Sequence, residues 1–538
     1  MRGAVGACSS SGVVAKRCTF GSFSSSIRCH PFATLQHRVS LLQCYSTSSA
    51  EGDGRAKEKV VVVGGGVMGV TSAYYLAKTG AYDVTLVDRS PSLSYSASYA
   101  NGGQNCPSNW MPWFSSKTIP QVFSESWTRL KFRMGTLDAM KEPHPFLLVN
   151  PIAMLMDPNT WRFGLRLLWL CNDKEAYRIG LEIASLSYYS HQCLKDLRIE
   201  ESLDYERGAT NGLIHLHRSQ ASLTSSANLA KRMNKDTGAP FKVLSRKQIE
   251  EIEPTLAHTK LPLEGGIYWT DAESGNCFDF VHKLAKRCEA KYGVKFLLNH
   301  QAVDCAKQQD NRISGLWVQK LSSHSTASSS PSEKPYCIAA DKVVLCGGNH
   351  TAELLKKFSG GAVRLPMCPI GGVSYSLSYH EEPRRREMGV PAMNVADVGA
   401  KVYYATLDKQ WRVAGIAELG GSRTEHGLDV QAKASEGARI LRQHIGDWFP
   451  HIKQEVMDSG TWHRASRPVT PDAVPVISAT PQKGLFVNTG QGHMGWTLSC
   501  GSARLLADIV RAHGADGELL PQGVRSAVDC APFSVRRF

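Results

Sequence analysis

Alternation of apolar runs and glycine punctuates the chain from residue 60 onward. Val60-Val61-Val62-Val63 is a β-branched run closed by glycine, the pattern of a strand buried on both faces. Gly64-Gly65-Gly66-Val67-Met68-Gly69 follows, and Val70 to Lys78 places apolar residues at helical spacing. Val84-Thr85-Leu86-Val87 then predicts a second strand that ends at Asp88. Residues 91–109, rich in Ser, Asn and Gly, read as an extended loop. Prolines interrupt the next stretch before helical periodicity runs from Trp161 to about Leu197. Leu213–His217 and Gly266–Trp269 predict strands, Phe280–Tyr292 a helix and Val294–Leu298 another strand. Ile313–Gln319 and Cys337–Leu345 read as paired strands, separated by a Ser-rich stretch over 321–335 that predicts a surface insertion. Tyr403–Thr406 with Trp411–Ala414 predicts a hairpin, and Gly437–Phe449 a helix. Leu485–Asn488 predicts a strand, a glycine-rich turn follows, and Leu498–Ala512 predicts the last long helix.

Charge adds a different kind of information. The 538 residues carry a net charge of +14, which invites a nucleic-acid partner. Residues 1–50, however, hold Arg2, Lys16, Arg17, Arg28 and Arg38 and no acid before Glu51. That segment accounts for +5, and the rest of the chain is only mildly basic, without Lys/Arg blocks. Nucleic-acid binding is therefore not expected. An acid-free, Ser-rich, Arg-spaced segment over 1–50 predicts a mitochondrial-type transit segment. The 15 cysteines form no C-x-x-C pair and their number is odd, so reduced thiols are expected, with neither a disulfide scaffold nor a metal site. No run of ~20 apolar residues predicts a membrane span.

Gly64, Gly66 and Gly69 form G-x-G-x-x-G between a strand and a helix. The first allows the tight turn, the second lets backbone approach a pyrophosphate, and the third lets helix and strand pack closely. The pyrophosphate then rests on unpaired N–H groups at the positive end of the helix. Asp88, at the end of the second strand, is placed to accept from both adenosine ribose hydroxyls and would repel a 2′-phosphate. The motif alone does not choose between NAD and FAD. Asn488-Thr489-Gly490-Gln491-Gly492-His493-Met494-Gly495-Trp496-Thr497 supplies a second glycine-rich strand-to-helix turn far along the chain. Two such turns suggest one long cofactor held at both ends, which favours FAD over NAD.

Together these elements resemble the FAD-dependent D-amino acid oxidase superfamily, and within it the small subunit of bacterial D-amino acid dehydrogenases. The resemblance is carried by Val63–Ser72 with Asp88-Arg89, Ser98–Gln104, Asp271–Cys277, Trp462–Pro475 and Asn488–Gly501. It implies an α/β and α+β architecture. A glutathione-reductase-like FAD-binding Rossmann domain would be assembled from 59–110, 271–365 and 462–515, and an antiparallel-sheet substrate domain from 111–270 and 366–461. By position, Val67 and Met68 would lie over the pyrophosphate, with Asp88 and Arg89 at the adenosine. Ala97, Asn101, Gly102, Gly103 and Gln104 would run along the flavin, and Val303 would meet adenine through its backbone. Gln491, Gly492, Met494, Gly495, Trp496 and Thr497 would wrap the isoalloxazine. No cysteine or histidine matches a covalent flavin link, so non-covalent FAD is implied.

Arg467 matches the family arginine that binds the substrate α-carboxylate, a role that suits a planar guanidinium fork. The family has Asp-Gly where this chain has Asp472-Ala473, so a turn needing positive φ would be strained and a different local backbone is expected. His493 stands in the flavin loop, available to bind a carboxylate, tune the flavin or cap the helix. Tyr268, Tyr375 and Tyr404 are available hydroxyl donors, with an ordinary core or surface tyrosine the better assignment for each. The implied reaction is hydride loss from the Cα of a D-amino acid to flavin N5, giving a 2-oxo acid and ammonia, with no side-chain base needed. Electrons would pass to a quinone or another carrier. Trp161–Leu170, with Arg162 and Arg166 one turn apart, offers an amphipathic face for a membrane surface, against the simpler reading of a helix packed on the substrate domain. A glycine- or sarcosine-type amine oxidoreductase and a non-catalytic flavoprotein stay open as alternatives. The oligomeric state is not legible.

Overall fold

The computed structural model describes residues 56–538 except 139–143, 151–155, 157, 204–211, 323–332, 421–426, 429 and 515–517. The acid-free segment and most of the Ser-rich stretch therefore lie outside the described residues.

The Val60–Val63 run is almost wholly buried and forms the centre of a six-stranded sheet. Its order is Val476–Ala479, Leu485–Thr489, Lys342–Leu345, Glu58–Val63, Tyr82–Val87 and Lys295–Leu297. All neighbours are parallel except the first pair. Val60 and Val62 face a core shared with helices Val67–Lys78, Cys277–Tyr292 and Gly495–Arg511. Val61 and Val63 face the opposite core, closed by an antiparallel three-stranded sheet and the Thr351–Phe358 helix. Burial on both faces is what a continuous valine run requires.

A ten-stranded mixed sheet forms the second body, largely antiparallel. Through its middle run Thr461–Val469, Cys368–Ser378, Gln410–Leu419, Val402–Leu407, Val395–Asp397 and Leu213–His217. One face buries Val373, Tyr375, Val402, Tyr404, Trp411 and Val413 against Ile440, Leu441 and Trp448 of the Glu436–Trp448 helix. Strand alternation sends the intervening residues to the other face.

Several expectations change. Residues 462–469 do not join the parallel sheet; they pair along their length with Cys368–Ser378. Cys337–Leu345 is two strands: Tyr336–Ala339 pairs with Ile313–Lys320, whereas Lys342–Leu345 crosses to the six-stranded sheet. The Trp161–Leu197 periodicity is cut at Cys171-Asn172, where Asn172 caps a new helix, Asp173–Glu200, by accepting from the Glu175 N–H. Ala473 does adopt positive φ, at +58°, so the turn keeps its left-handed form and alanine carries the strain. That turn is held by Arg537, whose guanidinium meets the Asp472 carboxylate at 2.7 Å and the Val474 carbonyl at 2.6 Å.

Candidate active site

The two sheets meet across one cavity of about 2440 Å³. Single small-molecule pockets run to ~1000 Å³, so this space suits a long cofactor and a substrate together. Every site residue expected from sequence lines it except Gly69. A Cβ at Gly69 would lie 1.7 Å from the Gly64 carbonyl oxygen, so this glycine serves helix–strand packing alone. Gly64 has φ +119°, and a Cβ there would sit 2.5 Å from the Cys346 carbonyl oxygen.

Four features fit the residues to a long, polar, anionic ligand. First, the helices Val67–Lys78 and Gly495–Arg511 both begin at the cavity with no cap from the side chain of the N-cap residue and no acid in the first turn, although the Val67 N–H donates to Ser98 Oγ at 3.1 Å. Helices beginning at Asp173, Gln220 and Cys277 are instead capped by Asn172, Ser219 and Asn276. Orphan N–H groups of the first turn are thus available to an anion. Second, Asp88 takes N–H bonds from Gly65 and Ser90, and burial still pushes its carboxyl above the ordinary value. A carboxylate has about four lone-pair sites, so ribose hydroxyls remain acceptable partners. Third, the Gln104 Nε2 is buried and has no partner among the described residues. Fourth, the pairing of His300–Lys307 with Ile313–Lys320 slips between Ala302 and Asp304, so Val303 is bulged out of the ladder beside the cavity.

Arg467 stands on the cavity-facing side of Thr461–Val469. Its Nη1 donates to the carbonyls of Gly371 at 3.1 Å and Ile416 at 3.4 Å. Burial depresses its proton affinity, opposed by Tyr403 and Glu418. Glu418 is itself held by Arg464, so no carboxylate neutralises Arg467 directly among the described residues. Ile416, a β-branched residue, has φ +60°, a costly conformation that turns its carbonyl to the guanidinium. The same strand reaches the second glycine-rich turn through a bridge between Val469 and Gln491. Gln491 in turn donates to Asn488, which donates to Ser72 of the first helix. Arginine and both turns are therefore mechanically tied.

His493 is exposed to the same cavity, and desolvation by the surrounding walls with the positive charges of Arg467 and Lys401 lowers it to about 4. It is a neutral ring at neutral pH. The core assignment of Tyr375 and Tyr404 holds, and the tyrosine of the cavity is one that sequence reasoning missed. Tyr404 is in the core, bonded to His444, and Tyr375 bonds to the Met457 carbonyl. Tyr268 does not line the cavity, whereas Tyr403, on the alternate face of Val402–Leu407, does. Lys401 and Gly372 also line it. Their only sequence signals were a Gly-Ala before Lys401 and a Gly-Gly within an otherwise apolar strand.

The Trp161–Leu170 expectation is also revised. Arg166 is occupied by the carbonyls of Arg537 and Phe538, each at 3.3 Å, and stacks over the Phe538 ring. Only Arg162 of the pair is exposed. No helix among the described residues is long and apolar enough to cross a membrane.

The chain is 31% identical to a D-amino acid dehydrogenase of Bradyrhizobium diazoefficiens over 481 residues, 89% of this chain and 99% of that protein. Its fold is similar to a glycine oxidase from Geobacillus kaustophilus, with TM-score 0.57 at 18% identity, over 90% of this chain and 100% of that one. An L-amino acid deaminase from Proteus vulgaris gives TM-score 0.58 at 15% identity, over 91% and 100% of the two chains. The family model described as FAD dependent oxidoreductase, DAO, matches residues 59–509. With a family model matched over most of its length and a curated relative at 31% identity, the chain belongs to the DAO family of FAD-dependent oxidoreductases.

Proposed function

We propose that this protein oxidises D-amino acids to 2-oxo acids and ammonia and delivers the electrons to a quinone or another carrier. The observation that carries the reading is Arg467: a half-buried cation whose bonds among the described residues go only to carbonyls, facing the cavity beside the second glycine-rich turn. A partly buried guanidinium without a carboxylate is costly, and a substrate carboxylate relieves that cost. The D-amino acid dehydrogenase relative supports the substrate class.

In this reading Gly64 to Met68, Asp88, Arg89 and Val303 hold the nucleotide half of FAD. Ala97, Asn101 to Gln104 and Gln491 to Thr497 hold the flavin half, without a covalent link. When bound, FAD supplies the two-electron acceptor for the hydride leaving the substrate Cα. Arg467 fixes the α-carboxylate, and the Gly371 and Ile416 carbonyls fix the fork. His493, neutral above about pH 4, adds a hydrogen-bonding group without competing for the carboxylate. Water then hydrolyses the product imine. Positioning supplies the rate.

Arg467→Ala is the direct test. Loss of one partner of a charge pair costs about 3 kcal/mol or more, roughly 100-fold in kcat/KM, with FAD retained. Unchanged turnover removes the assignment. Assaying D-alanine, D-proline, glycine and sarcosine with an artificial acceptor separates the D-amino acid reading from a glycine- or sarcosine-type one.

A lipid-borne acceptor is favoured by the rim of the cavity. Phe123 is 73% exposed, Trp169 86% and Leu165 58%, on two helices, Thr118–Arg133 and Pro158–Leu170, that both line the opening. Such a lip suits shallow insertion into a membrane surface. Sedimentation with anionic vesicles tests it; absence of binding counts against a membrane-borne carrier. Mitochondrial import of residues 1–50 is proposed on their composition alone, and a fluorescent fusion of that segment tests it.

A further inference from the structure

The helix Pro158–Leu170 lines the cavity mouth, yet few of its residues tie it to the body. Trp161, Leu165, Leu168 and Trp169 are exposed, and Phe163 alone is buried among its described residues. Phe163 packs with Cys368, Ile370 and Val469. Ile370 pairs directly with Arg467, and Val469 lies two residues along the same strand. That one aromatic therefore seats the helix against the strand that presents Arg467.

Arg166 stands three residues on, over the same face of the helix. It donates to the Arg537 and Phe538 carbonyls, each at 3.3 Å. Both guanidinium groups lie over the Phe538 ring, Arg166 at 4.9 Å and Arg537 at 4.4 Å from its centroid. Arg537 carries the connection onward. Its Nε meets the Asp472 carboxylate at 2.7 Å and its Nη2 the Val474 carbonyl at 2.6 Å, so the fork brackets Ala473, the residue at positive φ. The Arg537 and Asp472 side chains are only 18% and 15% exposed, so this charge-assisted pair is shielded from solvent. The bracketed turn follows the Arg467 strand and abuts the second glycine-rich turn, where a Cβ at Gly490 would lie 2.7 Å from the Thr470 methyl. Segment 531–538 is itself seated by Phe533 and Val535, both buried. Beyond Val535, the bonds of Arg537 fix where the carbonyls that hold Arg166 stand. These residues lie outside 59–509, the stretch that the family model matches.

We infer that Arg537 is a positioning residue: through Phe538 and Arg166 it latches the mouth helix Pro158–Leu170 to the turn behind Arg467, and so sets how closely the cavity mouth shuts beside the arginine. A helix seated by one buried side chain is displaced at small cost, and the latch supplies its second tie. Released, the helix withdraws Phe163 from the wall next to Arg467, and a bound carboxylate loses shielding from water. The inference rests on Arg467 as the carboxylate anchor for its kinetic readout, and on the contacts above for the latch itself.

The test is amide hydrogen exchange of the FAD-loaded protein, followed by mass spectrometry, with steady-state kinetics alongside. Arg537→Ala and Arg166→Ala each speed exchange over residues 158–170 about threefold or more, while the Glu436–Trp448 helix exchanges as in wild type. The double variant is no faster than Arg537→Ala alone, because both substitutions cut one chain of contacts. Arg166→Lys, which can still donate to the two carbonyls, retains most of the protection. In turnover, both alanine variants raise KM for D-alanine about threefold and leave kcat within about twofold of wild type. Unchanged exchange over 158–170 in Arg537→Ala, additive effects in the double variant, or faster exchange with KM unchanged overturns the inference. A wild-type protein that oxidises no D-amino acid removes the proposed function instead, and the exchange measurement, which needs no substrate, still decides the latch.

Discussion

Gly372 offers a way to displace the arginine without touching it. A Cβ at this position would lie 2.4 Å from Arg467 Nη1, 2.5 Å from Nη2 and 2.7 Å from Cζ. Ordinary contacts begin near 3.4 Å, so Gly372→Ala drives the guanidinium away by about 1 Å. The backbone has little room to yield, because Gly372 is paired with Ala465 inside a strand flanked on both sides. Gly372 is also not at positive φ, so alanine brings no backbone strain of its own. The shift breaks the 3.1 Å bond to the Gly371 carbonyl and misaligns the fork. A misplacement of about 1 Å costs on the order of 100-fold, or about 2.7 kcal/mol, when it alters the bound geometry. The assay is kcat/KM for D-alanine with an artificial acceptor, alongside flavin content and Tm. We expect about a 100-fold loss with both controls unchanged. A kcat/KM within about threefold of wild type would refute the role of the Arg467 fork, since the fork must move.

Gly69→Ala places a Cβ 1.7 Å from the Gly64 carbonyl oxygen, so the first turn opens and purified protein should lack the flavin absorbance bands. Ala473→Gly relieves about 1–2 kcal/mol of left-handed strain against about 0.5–1 kcal/mol of added chain entropy. A Tm raised by about 1–3 °C is expected, and a lowered Tm contradicts the strain assigned to this turn. Asp271, bonded to Ser108 at 2.7 Å, is raised by burial from 3.8 to about 6. A raised carboxyl favours the protonated fold, so its contribution is full below pH 3.8 and is lost as pH rises through about 6. At about 1.4 kcal/mol per unit this is at most ~3 kcal/mol, and urea unfolding of Asp271→Asn should lose less stability than wild type between pH 4 and 7.

The dinucleotide elements were legible because their constraints are local. Four valines, a glycine turn and an acid at the next strand end are each fixed by neighbours within thirty residues, at order-of-magnitude precision about one supersecondary unit. The second glycine-rich turn was legible for the same reason. What failed was long-range pairing. Thr461–Val469 shows no clear alternation because Arg464 and Arg467 lie in its middle, and charge is tolerated there because Arg464 meets Glu418 and Arg467 faces the cavity. Cys337–Leu345 reads as one strand, yet Ala340-Asp341 lets the chain leave one sheet for another. The core assignment of Tyr375 and Tyr404 holds, and Tyr403 was passed over because a strand's buried face is decided by the partner sheet. Of the Asp472-Ala473 departure, sequence located the strain correctly and misjudged how the chain answers it.

The six-stranded sheet also governs when the molecule becomes complete. Val63 lies beside Val87 on one side and Leu345 on the other, and Leu345 beside Val487. During synthesis the first strand leaves the ribosome early, but its sheet stays unfinished until the last tenth of the chain emerges. The second helix end that faces the cavity, at Gly495, comes later still. Cofactor loading is therefore a post-synthetic event, and a chain truncated before residue 485 lacks a sheet strand as well as the second turn. Long sequence separation of this kind slows folding, so FAD acts as the clamp that rewards completion.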